Sequence, residues 1–128
     1  MSFGLRRGML MRLLWVENHA VFVHVAGRQF LSAHELTVVP SLAAAREALA
    51  AEAFDAVLLD YDLDDGKGAE LVALVRQLPG RVAVVAASSH EGGNAALLAA
   101  GADAACPKAQ FAEIESVLRW AVGERGEP

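Results

Sequence analysis

The chain has 128 residues, 55% hydrophobic and 21% charged, with a formal net charge of −5. That balance describes one packed globular domain, long enough to bury about two-thirds of its unfolded surface. It argues against sequence-independent binding to nucleic acid or anionic lipid. No apolar run is long enough to span a bilayer, and the single cysteine, Cys106, allows no internal disulfide and fits a reducing, cytoplasmic setting.

Residues 1–10 have no period and no signal-peptide pattern, so a loose leader is expected there, a domain over 11–122, and a polar tail over 123–128. Met11 to Val16 reads as a buried strand ending at Glu17-Asn18. Asn18 or His19 opens a helix with Phe22, Val25, Ala26 and Phe30 at helical spacing. Leu36 to Val39 is a strand stopped by Pro40, and Ser41 is the expected N-cap of a helix over Leu42 to Glu52, with Ala45, Ala48 and Leu49 facing inward. Ala56 to Leu59 is a third strand, and a helix from Ala69 to Gln77 ends at Pro79-Gly80. Arg81 to Ala87 is a fourth strand, followed by the polar loop Ser88 to Asn94 and a helix over Ala95 to Ala100 closed by Gly101. Ala104 to Cys106 is a short fifth strand, and a helix from Gln110 to Val122 places Phe111, Ile114, Val117, Leu118 and Ala121 on one face.

Strands and helices alternate five times, which predicts a parallel sheet with right-handed crossovers and helices on both faces. The expected class is α/β, a flavodoxin-like (βα)5 three-layer sandwich whose five-stranded parallel sheet runs 2-1-3-4-5. In that order strands one and three are central neighbours, and their carboxyl ends bring Glu17, Asn18 and Asp60 to one crevice, with Lys108 reaching in from the end of strand five.

The third strand ends abruptly at Asp60-Tyr61-Asp62-Leu63-Asp64-Asp65-Gly66-Lys67-Gly68. Clustered carboxylates repel unless a proton, a cation or a lysine compensates them. Carboxylate oxygens with open positions suit Mg²⁺, and a carboxylate held beside a metal and a lysine can attack a phosphoryl donor. The histidines (His19, His24, His34, His90) show no metal-ligand spacing and most read as surface or helix-end residues, His90 lying on the loop above the site, and Cys106 reads as a small buried residue.

These stretches resemble the response-regulator receiver domains of two-component signalling, over roughly Met11 to Val122. Leu13-Leu14-Trp15-Val16-Glu17-Asn18 is similar to that family's first strand and acidic pair, and Asp55 to Asp60 to its phosphoacceptor strand, with Gly68 eight residues on. Ala100-Gly101-Ala102-Asp103 followed by Lys108 is similar to the segment carrying its phosphate-binding lysine. The resemblance implies Asp60 as phosphoacceptor and Lys108 as phosphate partner. It implies a Mg²⁺ site of Glu17, Asn18, Asp60 and the backbone carbonyl of Asp62. The sequence also departs from the pattern. The second acidic position is the neutral Asn18, which weakens Mg²⁺ binding unless Asp62, Asp64 or Asp65 replaces the charge. The expected switch hydroxyl falls on Ala86 and the expected aromatic on Ala105. The proline expected after the lysine is Ala109, and the one expected four residues after Asp60 is Asp64.

The resemblance therefore implies a receiver in a phosphorelay, phosphorylated at Asp60 by a sensor histidine kinase or a phosphotransfer protein. No DNA-binding or catalytic segment follows the last helix, so a stand-alone domain is expected. It would signal by protein contact through the helix 4, strand 5 and helix 5 face, without nucleic acid or membrane. It would have no enzymatic activity beyond gaining and losing its own phosphoryl group. The departures favour an alternative, a pseudo-receiver that binds partners without phosphorylation. A third reading is a haloacid-dehalogenase-like phosphatase using Asp60-Tyr61-Asp62, although Asp64 stands where that family expects threonine or valine.

Overall fold

Runs of four consecutive buried apolar residues, Ala56–Leu59 and Ala83–Ala86, mark strands covered on both faces. The computed structural model describes residues 10–124, so most of the expected leader and tail lies outside the described residues. Five strands form the main sheet: β1 (Arg12–Val16), β2 (Glu35–Val39), β3 (Ala56–Leu59), β4 (Ala83–Ala86) and β5 (Ala104–Ala105). All pairings are parallel and the order is β2-β1-β3-β4-β5, the 2-1-3-4-5 arrangement expected from the alternation. The helices are α1 (Ala20–Phe30), α2 (Leu42–Ala51), α3 (Ala69–Arg76), α4 (Glu91–Ala99) and α5 (Ile114–Arg119).

The pleat sends alternate residues to opposite faces. Leu13, Trp15, Leu58 and Val85 pack with Phe111, Ile114 and Leu118 beneath α1 and α5. Leu14, Val16, Val57, Leu59 and Val84 pack with Leu42, Ala45, Leu71, Val72 and Leu97 of α2, α3 and α4. Leu13, Leu14, Leu58 and Leu59 are fully buried, each worth about 2 kcal/mol in transfer from water. The expected inward set of α1 needs one correction: Ala26 is buried, but Val25 is 54% exposed.

Three segments differ from the sequence expectation. The acidic turn after Asp60 is a small antiparallel hairpin, Asp62–Leu63 against Gly66–Lys67, anchored by buried Leu63. Helix α4 begins at Glu91, not Ala95; Gly92 and Gly93 are poor helix formers, and the bonds between the Asn94 side chain and the Ser88 backbone support this first turn. The last helix is broken into a 3₁₀ segment, Lys108–Glu113, with Gln110 outside helical geometry, then α5, then a wider turn over Trp120–Glu124. His34 is no surface residue. Its side chain is buried, its Nδ1 accepts from the Met11 N–H at 3.1 Å, and its Nε2 lies 2.7 Å from Glu115 Oε1.

Candidate functional site

Register sets the site. Val16 is level with Leu59 across β1 and β3, so Glu17 and Asp60 leave adjacent strands together. The Asp60 N–H donates to the Val16 carbonyl (3.1 Å) and the Glu17 N–H to the Val39 carbonyl (2.9 Å), which carries the ladder through both residues. Their side chains are buried, Glu17 being 2% exposed and Asp60 6%.

Lys108 arrives from the far edge. The β4–β5 ladder continues past its strands: the Cys106 N–H donates to the Ala86 carbonyl (2.8 Å) and the Lys108 N–H to the Ser88 carbonyl (3.3 Å). The Lys108 ammonium lies 2.9 Å from Glu17 Oε2, 3.8 Å from Asp60 Oδ2, and 5.2 Å from the centre of the Phe22 ring. Burial pushes the Glu17 carboxyl above its ordinary value; the bond from Lys108 opposes this and the charge of Asp60 reinforces it.

Close approach behind the carboxylates depends on one glycine. A Cβ on Gly68 would stand 2.1 Å from the Asp60 carbonyl oxygen, so only glycine lets the chain turn there into α3. The Gly68 N–H donates to the Tyr61 carbonyl at 2.7 Å, and Asp60 Oδ1 accepts from the Tyr61 N–H at 2.9 Å.

The other acidic residues of this region divide their work. Asp65 accepts from the Leu42 and Ala43 N–H groups at 2.9 and 3.0 Å, joining the expected cap Ser41, which accepts from Ala44 at 3.1 Å. Those two bonds hold the Asp65 carboxyl below its ordinary value. The Asp62 carboxylate is exposed and pairs with Lys67, which lowers it as well. Asn18 does not cap α1; its Nδ2 donates to Asp64 Oδ1 at 3.0 Å.

Donor chemistry fits a divalent cation held by few protein groups. Glu17 Oε1 is buried with no hydrogen-bond partner, while Glu17 Oε2 and Asp60 Oδ2 share the Lys108 ammonium. Mg²⁺ takes one or two carboxylates and completes its shell with water and phosphate. Among the described residues no group of three or more His, Cys, Asp or Glu gathers to hold a metal alone.

The position where the family pattern expects a switch hydroxyl offers none. Ala86 is fully buried and carries no hydroxyl. Ser88 is buried and its Oγ accepts from the His90 N–H at 3.1 Å. Sequence reasoning missed Asn94, which is buried and bonds both backbone groups of Ser88. A Gly-Gly-Asn run read as a loop gave no signal for it.

Comparisons with known proteins agree with this geometry. The chain is similar to the receiver domain of a sensor histidine kinase from Pseudomonas aeruginosa PAO1, solved with a magnesium ion in its active site cleft (22% identity, 90% of this chain and 99% of that one, TM-score 0.76). It is similar to the BeF3-activated N-terminal receiver domain of RstA from Klebsiella pneumoniae (26% identity, 88% and 98%, TM-score 0.72). A CheY-like receiver domain from Methylobacillus flagellatus also matches (23% identity, 85% and 98%, TM-score 0.68). No curated protein matches the chain. The response regulator receiver domain profile matches residues 13–119, and with the doubly wound sheet and the carboxylates at the ends of β1 and β3 in place, the chain belongs to the response-regulator receiver family of two-component signalling.

Proposed function

We propose that this receiver domain accepts a phosphoryl group on Asp60 from the phosphohistidine of a sensor kinase or phosphotransfer protein in the cytoplasm. The observation that carries the reading is Lys108, whose ammonium stands 3.8 Å from Asp60 and 2.9 Å from Glu17 in one cleft. An Asp60 carboxylate oxygen attacks phosphorus, the phosphorus–nitrogen bond breaks, and its electron pair returns to the imidazole, which takes a proton from water. Lys108 is a point charge for the phosphoryl oxygens as negative charge redistributes. Mg²⁺, held by Glu17, Asp60 and the backbone carbonyl of Asp62, with Asn18 alongside, supplies further positive charge when bound. Later attack by water on phosphorus returns Asp60 to its carboxylate.

Output goes by protein contact through α4, β5 and α5. Support comes from Leu98 on α4 and Trp120 just after α5, each 44% exposed. Transfer from a radiolabelled small phosphodonor with Mg²⁺ tests the reading. Stable labelling of the wild type and none of Asp60→Asn is expected; equal labelling of both, or of neither, overturns it.

A second reading is favoured by Ala86, which lacks a hydroxyl, and by the Ser88 Oγ already bonded to the His90 N–H. In it the same face binds its partner without a phosphoryl group. An unlabelled wild type that still binds a partner through Trp120 would select it.

A further inference from the structure

The loop between β4 and α4 is closed by one buried side chain. Asn94 Oδ1 accepts from the Ser88 N–H at 2.8 Å, and Asn94 Nδ2 donates to the Ser88 carbonyl at 3.0 Å. This two-way bond is what a neighbouring strand would give Ser88, here supplied from the first turn of α4. Ser88 is 1% exposed and Asn94 6%, so neither backbone group could turn to water instead.

Packing is close around this arrangement. A Cβ on Gly93 would meet Ser88 Oγ at 2.7 Å and Tyr61 Cβ at 2.9 Å. Gly93 thus leaves the space in which Ser88 settles beside the residue that follows Asp60. The Ser88 carbonyl held by Asn94 is the same oxygen that accepts from the Lys108 N–H. A continuous series of bonds runs from Asn94 through Ser88 to the backbone of Lys108, whose ammonium reaches Glu17 and Asp60.

We infer that Asn94 is the positioning residue for Lys108, acting through Ser88. Its bearing on phosphoryl transfer rests on the role given to Lys108 above; its effect on the Lys108 backbone does not. Asn94→Ala removes both bonds to Ser88. Asn94→Asp keeps an acceptor for the Ser88 N–H but sets an oxygen against the Ser88 carbonyl, a second route to the same displacement.

Amide hydrogen exchange is measured at Ser88 and Lys108, together with the rate of Asp60 phosphorylation by acetyl phosphate. Leu49→Ala is the control for general loss of stability, because Leu49 lies with Phe54, Leu78 and Val82 along a groove far from Lys108. Exchange at Lys108 should quicken about tenfold in Asn94→Ala and at Lys108 more than at Ser88 in Asn94→Asp. Phosphorylation should slow in Asn94→Ala, and in the Lys108→Ala background the Asn94 substitution should cost nothing further. Unchanged Lys108 exchange, an equal change in Leu49→Ala, or full additivity with Lys108→Ala overturns the proposal. A wild type that takes no phosphoryl group overturns the functional reading, and the exchange rates then decide the positioning role alone.

Discussion

Asn18 donates its amide N–H to the Asp64 carboxylate across 3.0 Å, tying the loop after β1 to the hairpin after β3. Of the three aspartates able to make up for the neutral Asn18, Asp65 is spent on the start of α2 and Asp62 on Lys67, while Asp64 stands at the amide itself. Asn18→Asp restores a charged ligand and should tighten Mg²⁺ about tenfold. The check is a Mg²⁺ titration followed by Trp15, whose ring meets Phe22, the ring beneath the Lys108 ammonium. Unchanged affinity would place residue 18 outside the metal's reach.

Glu17 gives a signed pH dependence. Burial raises its carboxyl above the ordinary 4.5, so between that value and the raised one the folded chain binds the proton more readily than the unfolded chain. Stability from this group therefore falls as pH rises through the window. Urea midpoints measured across it should decline toward neutrality in the wild type more than in Glu17→Gln. Parallel curves would show that Lys108 compensates the charge fully.

Asp65 works in the opposite sense. Its carboxyl is held below the ordinary 3.8 by the Leu42 and Ala43 N–H groups, so its contribution is present above that value and is lost as pH falls through the lowered one. Asp65→Asn should flatten this acid-side loss, read from thermal midpoints. Ser41→Ala removes the neighbouring bond to Ala44 and should cost about 1 kcal/mol at any pH.

Gly68→Ala should be far more damaging than its size suggests. The added methyl would meet the Asp60 carbonyl oxygen, a backbone atom that cannot step aside, and a loss on the order of 3 kcal/mol is expected. Gly92→Ala is the matched control, since nothing lies within 4 Å of its added Cβ; it should be neutral or slightly stabilising through helix propensity. Denaturant unfolding of the pair decides it, equal midpoints being the contrary result.

Burial pushes the Cys106 thiol up to about 11, so little reactive thiolate forms near neutrality. Labelling by a disulfide reagent should be slow in native protein and should track denaturant unfolding. Fast labelling without denaturant would show that the β5 edge opens locally.

The fold was readable because its signals are local. Ala56–Leu59 and Ala83–Ala86 are unbroken buried runs, and turn chemistry follows each strand, which sets Glu17, Asp60 and Lys108 at strand ends on one side of the sheet. What was not readable depends on partners distant in sequence. Asp65 meets Leu42 across 23 residues, Asn18 meets Asp64 across 46, and His34 meets Glu115 across 81. Local pattern carries no trace of such pairings. The first turn of α4 is hidden for a different reason: Gly92 and Gly93 are weak helix formers, and the Asn94 side chain holds that turn to Ser88 only six residues away.

The rings are unevenly shared between the two sides of the sheet. Trp15, Phe22, Phe30 and Phe111 cluster under α1 and α5, with Trp15 stacked on Phe111 at 5.1 Å. The opposite layer is largely aliphatic, with Phe54 and Tyr61 at its margins. Near-ultraviolet circular dichroism of this protein will therefore be lopsided, dominated by the half that carries the chromophores. An intermediate that melts α2, α3 and α4 while keeping that half would pass for native by its near-ultraviolet signal, and the helical far-ultraviolet band would be needed to unmask it.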